Sequence, residues 1–284
     1  MLHAPEQPRA PVPATVRLLT LYPRSWYERY GEELAELLSR DHADRVAFKL
    51  IEGHSGLGFM AAQVIRAPSG LRLRPLDSDG DITVAQFVDE KLDLRPGNPR
   101  LIEEYLVQDP DYGAFNPSSV NTIRPWTIIR EGRARTLFAY FRMGRRGSLV
   151  DNIWAGGIVA PVDLETGRMA AAHDGEPTRR TFVVHPDSGV RIEGAVLPHF
   201  REAIALAERS VLAFPHITFS GLDIAMSPGG PVVIETNVLP AREGAAFVGY
   251  PTRDAFIEHR ASARIGSQAQ EGRRSPEPDE REAQ

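Results

Sequence analysis

Two short segments carry side chains able to hold a metal ion. Gly221-Leu222-Asp223 lies in one apolar run and Glu235-Thr236-Asn237 in the next, with Ser227-Pro228-Gly229-Gly230 between them. The runs Ile217–Met226 and Pro231–Asn237 read as strands joined by that turn. If Gly229 is the centre of an odd-length hairpin loop, Asp223 and Glu235 stand directly opposite, with Cβ atoms ~5 Å apart. Asn237 then faces the same way, because the strand period is two. Two carboxylates that close repel unless a cation neutralises them. An oxygen-rich cluster with positions left for phosphate and water suits Mg²⁺ better than zinc. An even loop would shift the register by one and send the carboxylates to opposite faces. The alternative is three polar residues on a solvated hairpin face. The flanks Ile217, Leu222, Ile224, Val232, Val233 and Ile234 are apolar. They point to a sheet deep in the protein, where unpaired carboxylates are costly, and so favour the metal.

A second candidate is Lys49-Leu50-Ile51-Glu52-Gly53-His54-Ser55-Gly56-Leu57-Gly58-Phe59. A glycine-rich turn between strands lets backbone N–H groups approach an anion, with no Cβ in the way. Lys49 would add a point charge for a phosphate. There is no Gly-Lys-Ser/Thr, and a strand follows rather than a helix, so this is no Walker P-loop. Taken alone, a plain hairpin with a flexible turn accounts for it equally well. In Leu101-Ile102-Glu103-Glu104-Tyr105-Leu106-Val107-Gln108 the adjacent carboxylates point to opposite faces of a strand. The segment offers backbone groups to an adenine, but taken alone an edge strand with a solvated face accounts for it better. Polar islands follow at Asn121–Arg124, Arg142, Arg145-Arg146, Asp151-Asn152 with Gly156-Gly157, and His185-Pro186. Arginine forks suit phosphates and carboxylates, but only Lys49 and Lys91 among the 33 basic residues are lysines. A single arginine therefore carries little information, and His185 reads as a loop histidine.

These residues need strands to hold them. Arg45–Leu50, Phe59–Arg66, Leu101–Val107, Asn121–Arg130 and Arg135–Arg142 read as strands. Residues 25–40, Ile82–Lys91 and His199–Phe214 have helical spacing. Many antiparallel neighbours and few βαβ units give an α+β chain. Residues 1–14 read as a loose, disordered arm, 15–44 as a helical N-terminal segment and 261–284 as a charged, disordered tail. The 284 residues suffice for a sizeable core. With no cysteine, thiolate zinc sites, disulfides and thiol nucleophiles are excluded. A net charge of −5 argues against a nucleic-acid partner. No run of eighteen apolar residues marks a transmembrane segment, and no secretory signal is visible, so the expected compartment is cytoplasmic.

The order Lys49 with its glycine turn, Glu-Glu-Tyr-Leu, then Asp…Glu-x-Asn resembles ATP-grasp proteins. Ser119…Asn121…Arg124, Val150-Asp151-Asn152…Gly156-Gly157, His185-Pro186…Gly189 and Gly221-Leu222-Asp223-Ile224-Ala225 look like one branch. That branch is the sugar-transfer-associated group related to α-L-glutamate ligases. The resemblance covers roughly residues 45–250. It implies an ATP-grasp fold, two α+β subdomains gripping ATP: a small one at 45–106 and a large metal-binding one at 107–260. It implies ATP and one or two Mg²⁺ as cofactors. Lys49 would contact the α/β-phosphates, and Gly53, Ser55, Gly56 and Gly58 would close over the triphosphate. Glu103, Glu104, Tyr105 and Leu106 would line the adenine and ribose, with Glu104 the preferred contact. Asp223, Glu235 and Asn237 would hold magnesium. Arg124 and Arg142 would serve the γ-phosphate or an acyl phosphate. The implied activity is an ATP-dependent carboxylate–amine ligase acting on an unidentified small-molecule or glycan-related substrate. The alternatives are a nucleotide-binding module without turnover and a small-molecule kinase. Family members usually carry a further N-terminal subdomain and an upstream lysine. Here no lysine precedes Lys49, so that subdomain is expected to be shortened or missing.

Overall fold

The structure, a computed structural model, describes residues 17–19, 38, 44–51, 53, 56–92, 100–175, 179–214, 216–238, 240–241 and 243–253. The expected arm, tail and helix over 25–40 lie outside these residues, apart from Leu38. So does Ser55 of the glycine turn.

The chain divides into two compact units, each built on an antiparallel sheet. The first comprises residues up to Val107 together with Asn116–Val120 and Gly144–Gly156. Its strands are β1 (Arg17–Leu19), β2 (Arg45–Leu50), β3 (Met60–Ala67), β4 (Gly70–Pro75), β5 (Ile82–Thr83) and β6 (Arg100–Glu104). Their order is β1-β6-β2-β3-β4-β5. Strand β1 stands within the stretch read as helical, because its backbone pairs with β6. Helix α1 (Val84–Glu90) starts at Thr83, whose side chain and that of Gln86 form a reciprocal capping box. It buries Val84, Phe87 and Val88 against Phe48, Val64 and Leu73.

The second unit takes Gln108–Phe115, Asn121–Met143 and the chain from Gly157 onward. It contains β7 (Thr122–Arg130), β8 (Arg133–Met143), β9 (Ile158–Val162), β10 (Ala172–Asp174), β11 (Thr181–Phe182), β12 (Phe219–Ser227) and β13 (Gly230–Asn237). Their order is β11-β10-β9-β8-β7-β12-β13. Two short helices, α2 (Pro110–Gly113) and α4 (Glu243–Phe247), flank the long α3 (Phe200–Leu212). Phe200, Ala203, Ala207 and Val211 recur at helical spacing and bury one stripe of α3. That stripe packs on Ile123, Ala139, Phe141, Leu222 and Ile224. One face of the second sheet is thereby covered, and alternation along the strands sends the neighbouring residues to the other.

Several expectations are corrected. The strand expected at 101–107 is assigned only as far as Glu104, although the Tyr105 N–H still donates to the Arg45 carbonyl in the same register. Strands β4, β9, β10 and β11 are additions to the expected set; β10 and β11 span only three and two residues. The hairpin of β12 and β13 does not lie deep on both sides. Strand β12 is buried nearly throughout, but β13 is the edge of its sheet and only partly covered.

Candidate functional site

Asp223 and Glu235 are cross-strand partners in the β12–β13 hairpin. The route to that pairing differs from the odd loop expected. Ser227 pairs with Gly230, so the turn holds two residues, Pro228 and Gly229. The Ser227 hydroxyl donates to the Gly230 carbonyl at 2.8 Å and accepts from the Gly229 N–H at 3.2 Å. An even loop alone would set Ile234 opposite Asp223. The register runs Ile224 to Val233 and then jumps to Asp223 with Glu235. Ile234 is thus the extra residue of a β-bulge. The bulge restores the facing pair that the turn would have broken. Asn237 stands opposite Gly221, two residues further along.

Two arginines close on Asp223 from neighbouring strands. Arg124 of β7 grips it with a two-pronged contact, Nε to Oδ1 and Nη2 to Oδ2, the latter at 2.5 Å. Arg142 of β8 donates Nη1 to both oxygens, at 3.0 and 2.9 Å. Gly221 makes room for this. A Cβ there would come within 3.2 Å of the Arg124 stem and 2.9 Å of Pro240. Burial opposes ionisation of Asp223, but Arg124 and Arg142 outweigh it and hold the carboxyl down to about 2. Glu235 behaves oppositely. Crowding by protein raises its carboxyl above its ordinary value, and the charge of Asp223 adds to the rise against the pull of the arginines. Glu235 still reaches water at the sheet edge, which tempers the effect. Next to it, Nδ2 of Asn237 is buried without a hydrogen-bond partner. A buried amide left unpaired costs ~1–3 kcal/mol, which makes it notable in a site.

The oxygen donors fit a hard cation in chemistry. Their number is small, since the described residues contain no group of three or more His, Cys, Asp or Glu placed to hold a metal. Both Asp223 oxygens are also committed to guanidinium. For a cation, Glu235 and the Asn237 carbonyl oxygen would therefore be more available than Asp223.

The other candidates lie in the first unit. Lys49, on the last turn of ladder in β2, forms an ion pair with Glu103. Glu104 points outward and is exposed, Tyr105 is buried beside Ala47 and Ala61, and Leu106 is half-buried. Burial raises the Tyr105 hydroxyl, with Arg45 pulling the other way. Gly56 and Gly58 adopt left-handed backbone, φ +74° and +67°. At Gly53 a Cβ would meet Leu50 at 2.9 Å. Arg100, unmarked in an arginine-rich sequence, is buried and donates Nη1 to the Gly58 carbonyl at 2.7 Å. His185 is a loop histidine, as read, but fully buried; its Nδ1 accepts from the Ser188 N–H at 3.3 Å and organises a turn.

The family of sugar-transfer-associated ATP-grasp proteins matches over residues 11–248. The chain belongs to that family. No protein of curated function matches. Among solved structures, this ATP-grasp chain is similar to D-alanyl-alanine synthetase A from Vibrio cholerae, with a TM-score of 0.40 and 11% identity over 80% of this chain and 50% of that one. It is similar to an N5-carboxyaminoimidazole ribonucleotide synthetase solved with ADP, at 0.40 and 13% over 81% and 41%. D-alanine–D-alanine ligase from Bacillus anthracis gives 0.37 and 16% over 84% and 59%. The chain thus spans about half the length of these structures. Among the described residues, no helix is long and apolar enough to cross a membrane.

Proposed function

We propose that the protein binds Mg-ATP and acts as an ATP-dependent carboxylate–amine ligase through an acyl phosphate. The observation that carries the reading is the meeting of Asp223, Glu235, Arg124 and Arg142 on one sheet face. Glu235 and Asn237 would hold magnesium, with Asp223 as the third oxygen ligand. When bound, magnesium would neutralise charge on the transferred phosphoryl group.

Arg124 and Arg142 have two partners to choose between. Without a nucleotide they saturate Asp223, whose carboxylate has about four acceptor positions. A polyphosphate offers the same guanidiniums a stronger anion, and their turn toward it releases the Asp223 oxygens. The arginines would then stabilise the phosphoryl group as a substrate carboxylate oxygen forms its bond to phosphorus and ADP departs. An amine nitrogen next attacks the acyl carbon, and inorganic phosphate leaves. No protein nucleophile takes part, which agrees with a chain lacking cysteine. Lys49, Gly53, Ser55, Gly56 and Gly58 serve the triphosphate in this reading. Glu103 to Leu106 serve the base and ribose. The acid or the amine would be a small molecule or a glycan-derived group.

The test is release of ADP over a panel of carboxylic acids and amines. Turnover that needs one acid and one amine together is the expected result. Nucleotide binding with no acid-dependent ADP release would leave a module without turnover instead. Glu235→Gln keeps size and removes charge. It should abolish most of the Mg²⁺ dependence of ATP binding while metal-free ATP binds as well or better. An unchanged magnesium dependence in a folded variant would remove the metal assignment.

A further inference from the structure

The segment containing Val150-Asp151-Asn152 has no part in the function proposed above, yet it reaches the glycine turn. Residues 144–156 leave β8 and return to β9, but belong with the first unit, as do residues 116–120. A Cβ on Gly56 would lie 3.0 Å from Val150 Cγ1 and 3.2 Å from its Cβ. The isopropyl group of Val150 therefore rests against the bare Cα of Gly56. Nothing larger than glycine leaves that contact undisturbed.

Val150 is itself held by a buried bracket. Asn116 Nδ2 donates to the Ser119 hydroxyl at 2.9 Å and to the Ser148 carbonyl at 3.2 Å. The Ser148 hydroxyl donates to the Val150 carbonyl at 2.9 Å and accepts from the Val150 N–H at 3.2 Å. Leu149 and Val120 pack with Phe59, Ala47, Ala61 and Tyr105, which ties the bracket to the sheet. The far end of the turn is secured separately, by Arg100 on the Gly58 carbonyl. A turn with glycine at positions 53, 56 and 58 has many backbone states, and ordering it is costly in entropy. Two outside contacts, at Gly56 and at Gly58, reduce that freedom before any ligand arrives.

We propose that Val150, set by the Asn116–Ser148 bracket, is a positioning residue for the glycine turn and through it for the triphosphate. The inference rests on the reading of that turn as a phosphate-binding element. Its own reporter is independent of nucleotide: the Phe59 N–H donates to the Gly56 carbonyl at 3.2 Å and closes the turn.

The experiment compares the full chain with Val150→Ala and with Val150→Thr, which keeps the branched shape. Hydrogen exchange is followed at Phe59 and at Val64, whose N–H donates to Asp44 in the neighbouring ladder. Mg-ATP and adenosine binding are measured by calorimetry. In Val150→Ala the Phe59 amide should exchange about tenfold faster with Val64 unchanged, the mark of local rather than global opening. The Mg-ATP dissociation constant should rise about five- to tenfold, adenosine affinity should hold, and Val150→Thr should restore both. Unchanged Phe59 exchange in Val150→Ala overturns the inference. So does faster exchange with full Mg-ATP affinity, or a Val150→Thr chain as impaired as Val150→Ala. A wild-type chain that binds adenosine but gains nothing from the triphosphate overturns the phosphate reading of the turn itself, and this proposal with it.

Discussion

Asp223 concentrates the electrostatics of the second sheet. It is buried, ionised and bonded on both oxygens to Arg124 and Arg142. Removing its charge takes from two guanidiniums the buried carboxylate they share. Asp223→Asn should therefore cost about 3–5 kcal/mol of stability at pH 7, read by urea unfolding. The sign of the pH dependence follows from its lowered carboxyl. The stabilisation is complete above the ordinary aspartate range near ~3.9, and it is lost as pH falls through the folded value of about 2. The gap between wild type and Asp223→Asn should narrow on acidification over that window. A gap that stays constant would mean the carboxylate charge is not what stabilises the site. Lys49 poses a different question, because its partner Glu103 shares a half-exposed surface and such pairs contribute little. Lys49→Ala should leave stability nearly intact and weaken ATP binding by ~1.5–3 kcal/mol, with adenosine barely affected. Equal losses for both ligands would make Lys49 structural.

At the scale of the element, the hairpin of β12 and β13 decides whether the proposed metal-binding face can form at all. Its two-residue turn and its bulge at Ile234 act in opposite directions on the register. Together they leave Asp223 facing Glu235, with Asn237 two residues on. An alanine inserted after Ile234 would carry Glu235 and Asn237 to the opposite face, because side chains alternate. Mg²⁺-dependent nucleotide affinity should then be lost while α3 and the covered side of the sheet still fold, as circular dichroism would report. Deleting Ile234 is the reverse case. It restores an unbulged ladder that sets the glutamate opposite Asp223, so magnesium dependence should survive. Loss of the dependence in the deletion and its survival in the insertion would show that register does not govern the site.

For the whole molecule, a ligand that binds only the folded chain raises its melting temperature by mass action. At a hundredfold excess over the dissociation constant the gain is ~2.7 kcal/mol, or roughly 5–10 °C for a domain of this size. Mg-ATP should produce such a shift, and adenosine alone should produce much less. A melting temperature indifferent to Mg-ATP at millimolar concentration would count against nucleotide binding altogether.

Much of the candidate site is legible in residue type and order. Lysine before a glycine turn, paired glutamates before a tyrosine, and Asp…Glu-x-Asn across a turn are local signals, and each needs only its own strand to be read. The α+β class followed from apolar periodicity, which is likewise local. Helix α3 and strands β2, β7 and β8 were visible for that reason. What lay beyond reach depended on contacts distant in sequence. The bulge at Ile234 lies on the edge strand β13, and nothing in Val233-Ile234-Glu235 distinguishes it from an unbroken strand. Arg124 and Arg142 could be nominated for phosphate, but in a chain with two lysines among 33 basic residues no local mark made them the counter-ions of Asp223. Arg100 beneath the glycine turn was hidden by the same abundance. The meeting of Val150 with Gly56 joins residues 94 positions apart. The amino-acid sequence by itself determined which groups can do chemistry and what local backbone carries them. Register, counter-ions and bracing came only from tertiary structure, because each is fixed by packing between strands whose partners no local pattern names.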